Sequence, residues 1–382
     1  MKHRSYDVAV VGGGIVGLAH AYQAARRGRK VAVFEREDQA VGASIRNFGM
    51  VWPIGQATAT VERALRSRQH WLDLAQAAGF WAQPWGSLHL AYHPDELAVL
   101  EEFVSGVAGQ PYRVRLLKPD EIPAISSAVR GQGLLGGMFS ATEVNVDPRQ
   151  AVQRITGYLA ERMGVDFYHR HSIREIQHPY LRTATATYAA DRIIVANGAD
   201  FATLYPEQFD AAPLRKCKLQ MMRTAPQPGA WQLGPNLAAG LTLQHYASFA
   251  QCPSLPVLKQ RLAAEMPEYN RYGIHVMMSQ TALGELTIGD SHEYGHTFDP
   301  FNREEINRLI LDYLHTFALA PDLQIAEHWY GVYAKLTNGA TELLLEPEPG
   351  VLIVNGVGGA GMTLSFGLAE EVMTGQLQIS TV

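Results

Sequence analysis

Three glycines near the N-terminus, Gly12, Gly14 and Gly17, have the spacing of a turn that cradles a pyrophosphate. They follow the apolar run Tyr6–Val11 at once and precede Ile15, Leu18, Ala19 and Tyr22 at roughly helical spacing. Gly12 permits the tight turn, Gly14 lets backbone approach the phosphates, and Gly17 lets a helix pack against the strand. Ile15 and Val16 open that helix, whose unpaired N–H groups and dipole attract an anion. A second short strand, Lys30–Phe34, leads to Glu35, which lies 18 residues past Gly17 and is placed to accept bonds from a ribose diol. Arg36 extends the same site. A carboxylate here argues against a 2′-phosphate, but the motif alone does not say which dinucleotide binds.

Three later segments decide between the dinucleotides. Gly42–Gly49 is a small, polar, glycine-bounded loop containing Ser44, Arg46 and Asn47. Arg192–Ala199 reads as a buried strand ending in the small-residue turn Ala196, Asn197 and Gly198. Gly350–Thr363 reads as a strand that enters a second glycine-rich loop, with Gly356, Gly358, Gly359, Gly361, Met362 and Thr363, before a helix over Leu364–Met373. A second helix N-terminus in one fold suits a flavin, because reduced flavin carries negative charge near N1 and the C2 carbonyl. FAD is therefore expected over a nicotinamide cofactor.

Other polar residues are candidates for the reacting side. Lys218 and Gln220 alternate on one face of the expected strand Lys216–Met222. His245 and Tyr246 follow the apolar Leu241–Leu243, and His275 sits in a strand-like run ending at Met278. His292 and His296 stand four apart, but Gly295 and the Asp290-Ser291 start favour a turn, and no H-E-x-x-H pattern is present. No metal centre is expected.

Composition bounds the rest. The 382 residues are enough for two domains, with 47% hydrophobic residues to fill a core. The net charge of −5, without a basic stripe, excludes an ordinary nucleic-acid binder. Two cysteines, Cys217 and Cys252, without CxxC spacing make a disulfide framework or structural zinc unexpected. No apolar run is long enough for a membrane span and no signal-peptide core precedes the first strand, so a cytoplasmic protein without membrane partners is expected.

Taken together, the glycine loops resemble the D-amino-acid oxidase/glycine oxidase/sarcosine oxidase family of FAD enzymes from about residue 5 to residue 375. Gly42–Gln56, Arg215–Thr224, Gly289–Gly295 and Gly356–Gly367 resemble one bacterial branch of it, associated with catabolism of aminophosphonates related to 2-aminoethylphosphonate. The resemblance implies an α/β fold with an α+β second domain: a Rossmann-like FAD-binding domain and an inserted antiparallel-sheet substrate domain. Carried over, residues 1–80, 140–212 and 335–382 form the first, and 81–139 and 213–334 the second. It also places Ile173, in a strand-like His171–Ile173 segment, beside the adenine through its backbone.

Family members acting on amino acids carry an arginine in a W-x-G-x-R segment that grips the carboxylate. This chain reads Trp329-Tyr330-Gly331-Val332-Tyr333, with Lys335 the nearest cation. A guanidinium holds a carboxylate by two parallel bonds, whereas a lysine offers one mobile charge, better suited to a tetrahedral anion. Some sarcosine-oxidase relatives attach flavin through a cysteine where this chain has Gly331. Neither cysteine lies near that segment in sequence, so non-covalent FAD is expected.

The implied reaction takes a hydride from the carbon beside an amine nitrogen to flavin N5, and the imine hydrolyses to an aldehyde. The substrate is a small, anionic amine, and dioxygen or another acceptor reoxidises the flavin. Such chemistry depends on positioning more than on acids and bases, with Asn47, Lys218, His245, Tyr246, His275, Tyr333 and Lys335 as candidate contacts. The alternatives are an amino-acid oxidase or dehydrogenase of the glycine or sarcosine type, a nicotinamide dehydrogenase, a flavin hydroxylase and a non-catalytic flavin-binding protein.

Overall fold

The computed structural model describes residues 4–106, 111–377 and 380–381. Residues 1–3, 378–379 and 382 of the expected FAD-domain segments, and 107–110 of the expected substrate domain, lie outside the described residues.

The apolar run at the N-terminus becomes strand Arg4–Val11, whose last four residues are buried. Parallel partners flank it on both sides, Val31–Phe34 and Thr187–Val195. Val351–Asn355 and Asp166–Tyr168 extend the parallel set outward. Strands covered on both faces need continuous apolar sequence, and this sheet is covered twice. Helices Ile15–Ala25, Pro148–Met163 and Gly361–Thr374 contribute to the core on one face. Tyr6, Phe34, Leu181 and Tyr188 build the core on the other.

A second sheet runs through Leu214–Pro226, Glu285–Gly289, Met277–Gln280, Asn236–Ala238, Ser87–Ala91 and Gly136–Ser140. Its pairs are antiparallel except Asn236–Ala238 with Ser87–Ala91, which run parallel. The sheet is therefore mixed, because Asn236–Ala238 reaches its neighbour after a long excursion rather than through a hairpin. Its spine is the ladder between Leu214–Pro226 and Ile325–Leu336, in register from Leu214 opposite Leu336 to Arg223 opposite Glu327. Helix Glu304–Phe317 packs beside it with Ile306, Ile310 and Leu314 buried at helical spacing.

Two strand expectations fail locally. The strand expected over Gly273–Met278 begins only at Met277, since Gly273 adopts φ +58°. His275 nevertheless exchanges both backbone hydrogen bonds with Asp290, at 3.2 and 2.8 Å, and so stays at the sheet margin. His171–Ile173 is irregular, lying between strands Asp166–Tyr168 and Glu175–Gln177. No described helix is long and apolar enough to cross a membrane.

Two buried histidines make the fold acid-sensitive. His20 Nδ1 lies 2.7 Å from Val16 O, and burial pushes the ring's pKa down to about 4. His89 has no partner on either ring nitrogen, and burial holds it at about 3. Both are neutral when folded and titrate near 6.5 when exposed. Each therefore contributes stability that is fully present above pH 6.5 and is lost as pH falls toward 4 and then 3. The midpoint of thermal unfolding should drop steeply over that interval, and His89→Leu should flatten the drop without loss at neutral pH. An acid limb as steep in His89→Leu as in the parent would refute the assignment.

Candidate active site

The N-terminal loop closes as its glycines require. Gly12 has φ +108°, and a Cβ there would lie 2.3 Å from Ala196 O; one on Gly17 would lie 1.9 Å from Gly12 O. Helix Ile15–Ala25 starts from Gly14 without a side-chain cap or an acidic residue in its first turn. Such an end leaves N–H donors and positive dipole for a phosphate. Ser44 Oγ accepts from Ile15 N at 2.8 Å and ties the second glycine-bounded loop to this end. Glu35 is held rigidly, with Oε2 accepting from Gly13 N (2.8 Å) and Oε1 from Glu37 N (3.0 Å). A recess of about 460 Å³ opens beside it, lined by Gly13, Ile45, Phe167 and His169. The Ile173 side chain is buried in the sheet's core, and the Arg36 guanidinium pairs with Asp200 at 2.9 Å.

The other two expected segments converge on this loop. Ala196 N donates to Val11 O at 2.8 Å. Asn355, not singled out in the sequence, donates to Asn197 Oδ1 (3.1 Å) and Gly198 O (2.9 Å), joining the turn to the C-terminal strand. The Asn197 side chain is thereby committed to structure rather than to a ligand. After Gly356 and Gly358, both with positive φ, helix Gly361–Thr374 begins with no side-chain cap and no acid in its first turn. Thr363 Oγ1 accepts from Trp52 N (2.9 Å), and Met362 O from Trp71 Nε1 (2.6 Å). Two helix starts with no acid in the first turn, the first having only Ile15 N taken by Ser44, and a fixed carboxylate fit a flavin dinucleotide.

Pairing in the long ladder sorts the reacting-side candidates. Cys217, Leu219 and Met221 form a cluster with Phe48, Trp329 and Tyr333. Lys218 and Gln220 therefore face away. Lys218 Nζ donates to Asp299 O (2.6 Å) and Phe301 O (2.9 Å), while Gln220 is bonded to Arg303 and Asn307. Both fasten the approach to helix Glu304–Phe317, because a buried amine and amide must find acceptors. Asn47 also departs from expectation: its amide donates to Ala43 O and Ser44 O and accepts from Gly49 N, so it shapes its own loop. Arg46 bonds across to the ladder, Nη1 to Tyr330 O at 3.4 Å, and its carbonyl accepts from Trp329 Nε1 at 3.3 Å. A Cβ on Gly331 would stand 3.1 Å from that same carbonyl.

His245, Tyr246 and His275 do come together, and Tyr333 lies at the C-terminal glycine loop. The rings of His245 and His275 stack at 3.8 Å, and Tyr246 lies 5.1 and 5.7 Å from them. Tyr246 also packs on Trp52 at 6.1 Å. Tyr333 Oη would be 3.5 Å from a Cβ on Gly359, which puts it at the C-terminal glycine loop. Lys335 Nζ donates to Tyr294 Oη at 3.1 Å. Burial holds Tyr333 and Tyr246 well above the ordinary tyrosine range, so both stay neutral phenols. His245 is accessible to solvent, yet crowding by the surrounding protein, with His275, His292 and Lys335 behind it, holds its pKa well down.

His292 joins this group, 4.7 Å from His245, and His296 does not. Asp290, His292 and Tyr294 are legible in the sequence only as an i, i+2 alternation running on from strand Glu285–Gly289. The ladder also brings Cys217 opposite Tyr333, correcting the expectation that both cysteines lie far from that segment. Burial pushes its thiol up to about 11, so it is no ready nucleophile.

Known proteins share this fold. A family model described as "DAO: FAD dependent oxidoreductase" matches residues 7–374. An opine oxidase polypeptide of Agrobacterium tumefaciens is 22% identical over 97% of this chain and 94% of its own length. The crystal structure of glycine oxidase from Geobacillus kaustophilus superposes with a TM-score of 0.76 at 22% identity, over 99% of this chain and 96% of that one. An FAD-bound L-α-glycerophosphate oxidase from Mycoplasma pneumoniae gives 0.72 at 16% identity, over 100% and 99%.

Gly17→Ala should force the first helix off its strand and yield protein with far less bound flavin, read from the ratio of visible to ultraviolet absorbance. Acid precipitation of the parent protein should leave all flavin in the supernatant. Flavin retained in the pellet would show a covalent link.

Proposed function

We propose that this chain, which belongs to the DAO family of FAD-dependent oxidoreductases, oxidises the carbon–nitrogen bond of a small anionic amine, an aminophosphonate of the 2-aminoethylphosphonate kind. The observation that carries the reading is Tyr333, a neutral phenol at the C-terminal glycine loop, in the position where amino-acid-oxidising members carry arginine. Relatives named as glycine oxidase and opine oxidase support an amino compound as substrate. Residues 1–80, 140–212 and 335–382 form the FAD body in this reading, and 81–139 and 213–334 the substrate body.

Bound without a covalent link, FAD supplies the two-electron acceptor for the hydride lost by the carbon. The chain supplies position. Gly12, Gly14 and Gly17 would admit the pyrophosphate, Glu35 would take the ribose, and the start of helix Gly361–Thr374 would offer its donors to negative charge on the flavin. Tyr246 and Tyr333 donate hydrogen bonds as neutral phenols, and His245 and His275 wall the recess. Lys335 offers a point charge to a tetrahedral anion without the planar fork a carboxylate prefers. The amine becomes an imine by losing the hydride and a nitrogen proton. Water then converts it to an aldehyde with release of ammonia or an alkylamine.

Anaerobic addition of glycine, sarcosine, D-alanine, 2-aminoethylphosphonate and its N-methyl and 1-hydroxy derivatives tests this directly. An aminophosphonate should bleach the flavin's visible band and the amino acids should not. Lys335→Met should raise the aminophosphonate KM about tenfold or more with a smaller effect on kcat, as expected for loss of a charge-assisted bond. Bleaching by glycine or sarcosine alone would restore the amino-acid-oxidase reading, and a flavin that no amine reduces would point to a different substrate class.

A further inference from the structure

We propose that His245, His275 and His292 form a binding site for one divalent transition-metal ion of the zinc type, with an open coordination position toward the recess. The three come from separate places: His245 just beyond the short helix Gly240–Leu243, His275 before strand Met277–Gln280, and His292 beyond strand Glu285–Gly289. One nitrogen from each lies within 4.8 Å of the others. The inference does not depend on the substrate's identity.

The group behind His292 settles which of its nitrogens is free. His292 Nδ1 is 2.8 Å from Gly273 O, and a carbonyl only accepts, so Nδ1 carries the proton and Nε2 the lone pair. His275 Nε2 is 3.1 Å from Asp290 Oδ1, while its Nδ1 is buried without any partner. Asp290 Oδ1 is itself buried without a hydrogen-bond partner, so its contact with Nε2 leaves the proton free to sit there, and an ion would select the form with the lone pair on the buried Nδ1. The carbonyl behind His292 is the kind of outer partner that orients a metal-binding histidine. A buried nitrogen with no partner costs free energy unless something binds it, and three packed neutral rings do not satisfy it.

The spacing is close to what one ion needs. Two imidazoles on an ion with bonds of about 2.0–2.1 Å have ring centres roughly 4.5–5.2 Å apart for angles between a right angle and a tetrahedron. His245 and His292 are at 4.7 Å and His275 and His292 at 5.3 Å, whereas His245 and His275 are at 3.8 Å. His245 has to leave its face-to-face stack on His275, whose plane is 28° from its own, turning its ring as well as moving outward by about 1 Å on the same reckoning. It is the accessible member of the group, beyond a helix of one turn. Imidazole donors select Zn²⁺, Cu²⁺, Ni²⁺ or Fe²⁺ over Mg²⁺ or Ca²⁺. Lys335 acts against positive charge on all three rings. The fourth ligand is accordingly an anion or hydroxide.

The holoenzyme, treated with chelator and dialysed, should take up one Zn²⁺ per chain by calorimetry and elemental analysis, and Co²⁺ should give the intense visible bands of a low-coordinate nitrogen site. His292→Gln and His275→Ala should each lose the stoichiometric site, and Asp290→Asn should weaken it about 10–100-fold. His296→Ala, four residues from His292 but outside the group, should bind like the parent. Uptake well below one ion, or uptake that His292→Gln leaves intact or His296→Ala abolishes, overturns the proposal. Should His275→Ala fail to fold, the parent's Co²⁺ spectrum and His292→Gln still decide it. Flavin reduction by amines is read at the flavin band, so the two readings fail separately.

Discussion

The ladder between Leu214–Pro226 and Ile325–Leu336 is the constraint on which the candidate site rests. Because side chains alternate with a period of two, its register decides which residues of each strand face the glycine loops. In the observed register Cys217, Leu219 and Met221 cluster with Phe48, Trp329 and Tyr333, and Lys218 and Gln220 are turned to the Asp299–Arg303 approach of helix Glu304–Phe317. A slip of one residue would bury Met221 against that helix and bring a lysine to the loop that holds Arg46. The length of the pairing and the buried polar anchors on one face make that slip costly.

The buried polar residues around the site mostly serve the backbone. Asn47 closes its own loop, Asn355 joins two turns, and Lys218 and Gln220 fix a carbonyl-rich approach. Their donors are spent on acceptors within the protein rather than held out to a ligand. Loops that approach a cofactor have few regular backbone bonds, so side-chain amides supply what secondary structure does not.

The parts of the molecule legible in the sequence are those governed by local rules. Gly12, Gly17 and Glu35 sit where strand–turn–helix geometry demands them, and the Gly361–Thr374 helix begins where its glycines end. Strand alternation puts Lys218 and Gln220 on one face, but it does not say which face meets the cavity, since that depends on a partner strand more than a hundred residues away. The histidine group is less legible still. Spacing along the chain associates His292 with His296, four residues on, whereas its neighbours His245 and His275 arrive through two unrelated chain reversals. Cys217 follows the same pattern: distance along the chain says nothing of the ladder that sets it opposite Tyr333.

Arg46 gives the fold a property of modular construction. Its loop touches the dinucleotide helix through Ser44 and Ile15 N, and the ladder through its own carbonyl and guanidinium at Trp329 and Tyr330. One short stretch of chain is thus a shared fitting between the two sheets. A lineage can rebuild the far wall of the recess, including Tyr333, Lys335 and the histidines, while keeping Trp329 and a residue without a side chain at Gly331 as the socket. New chemistry is then acquired by exchanging the wall, and the fitting sets the terms on which any replacement must join.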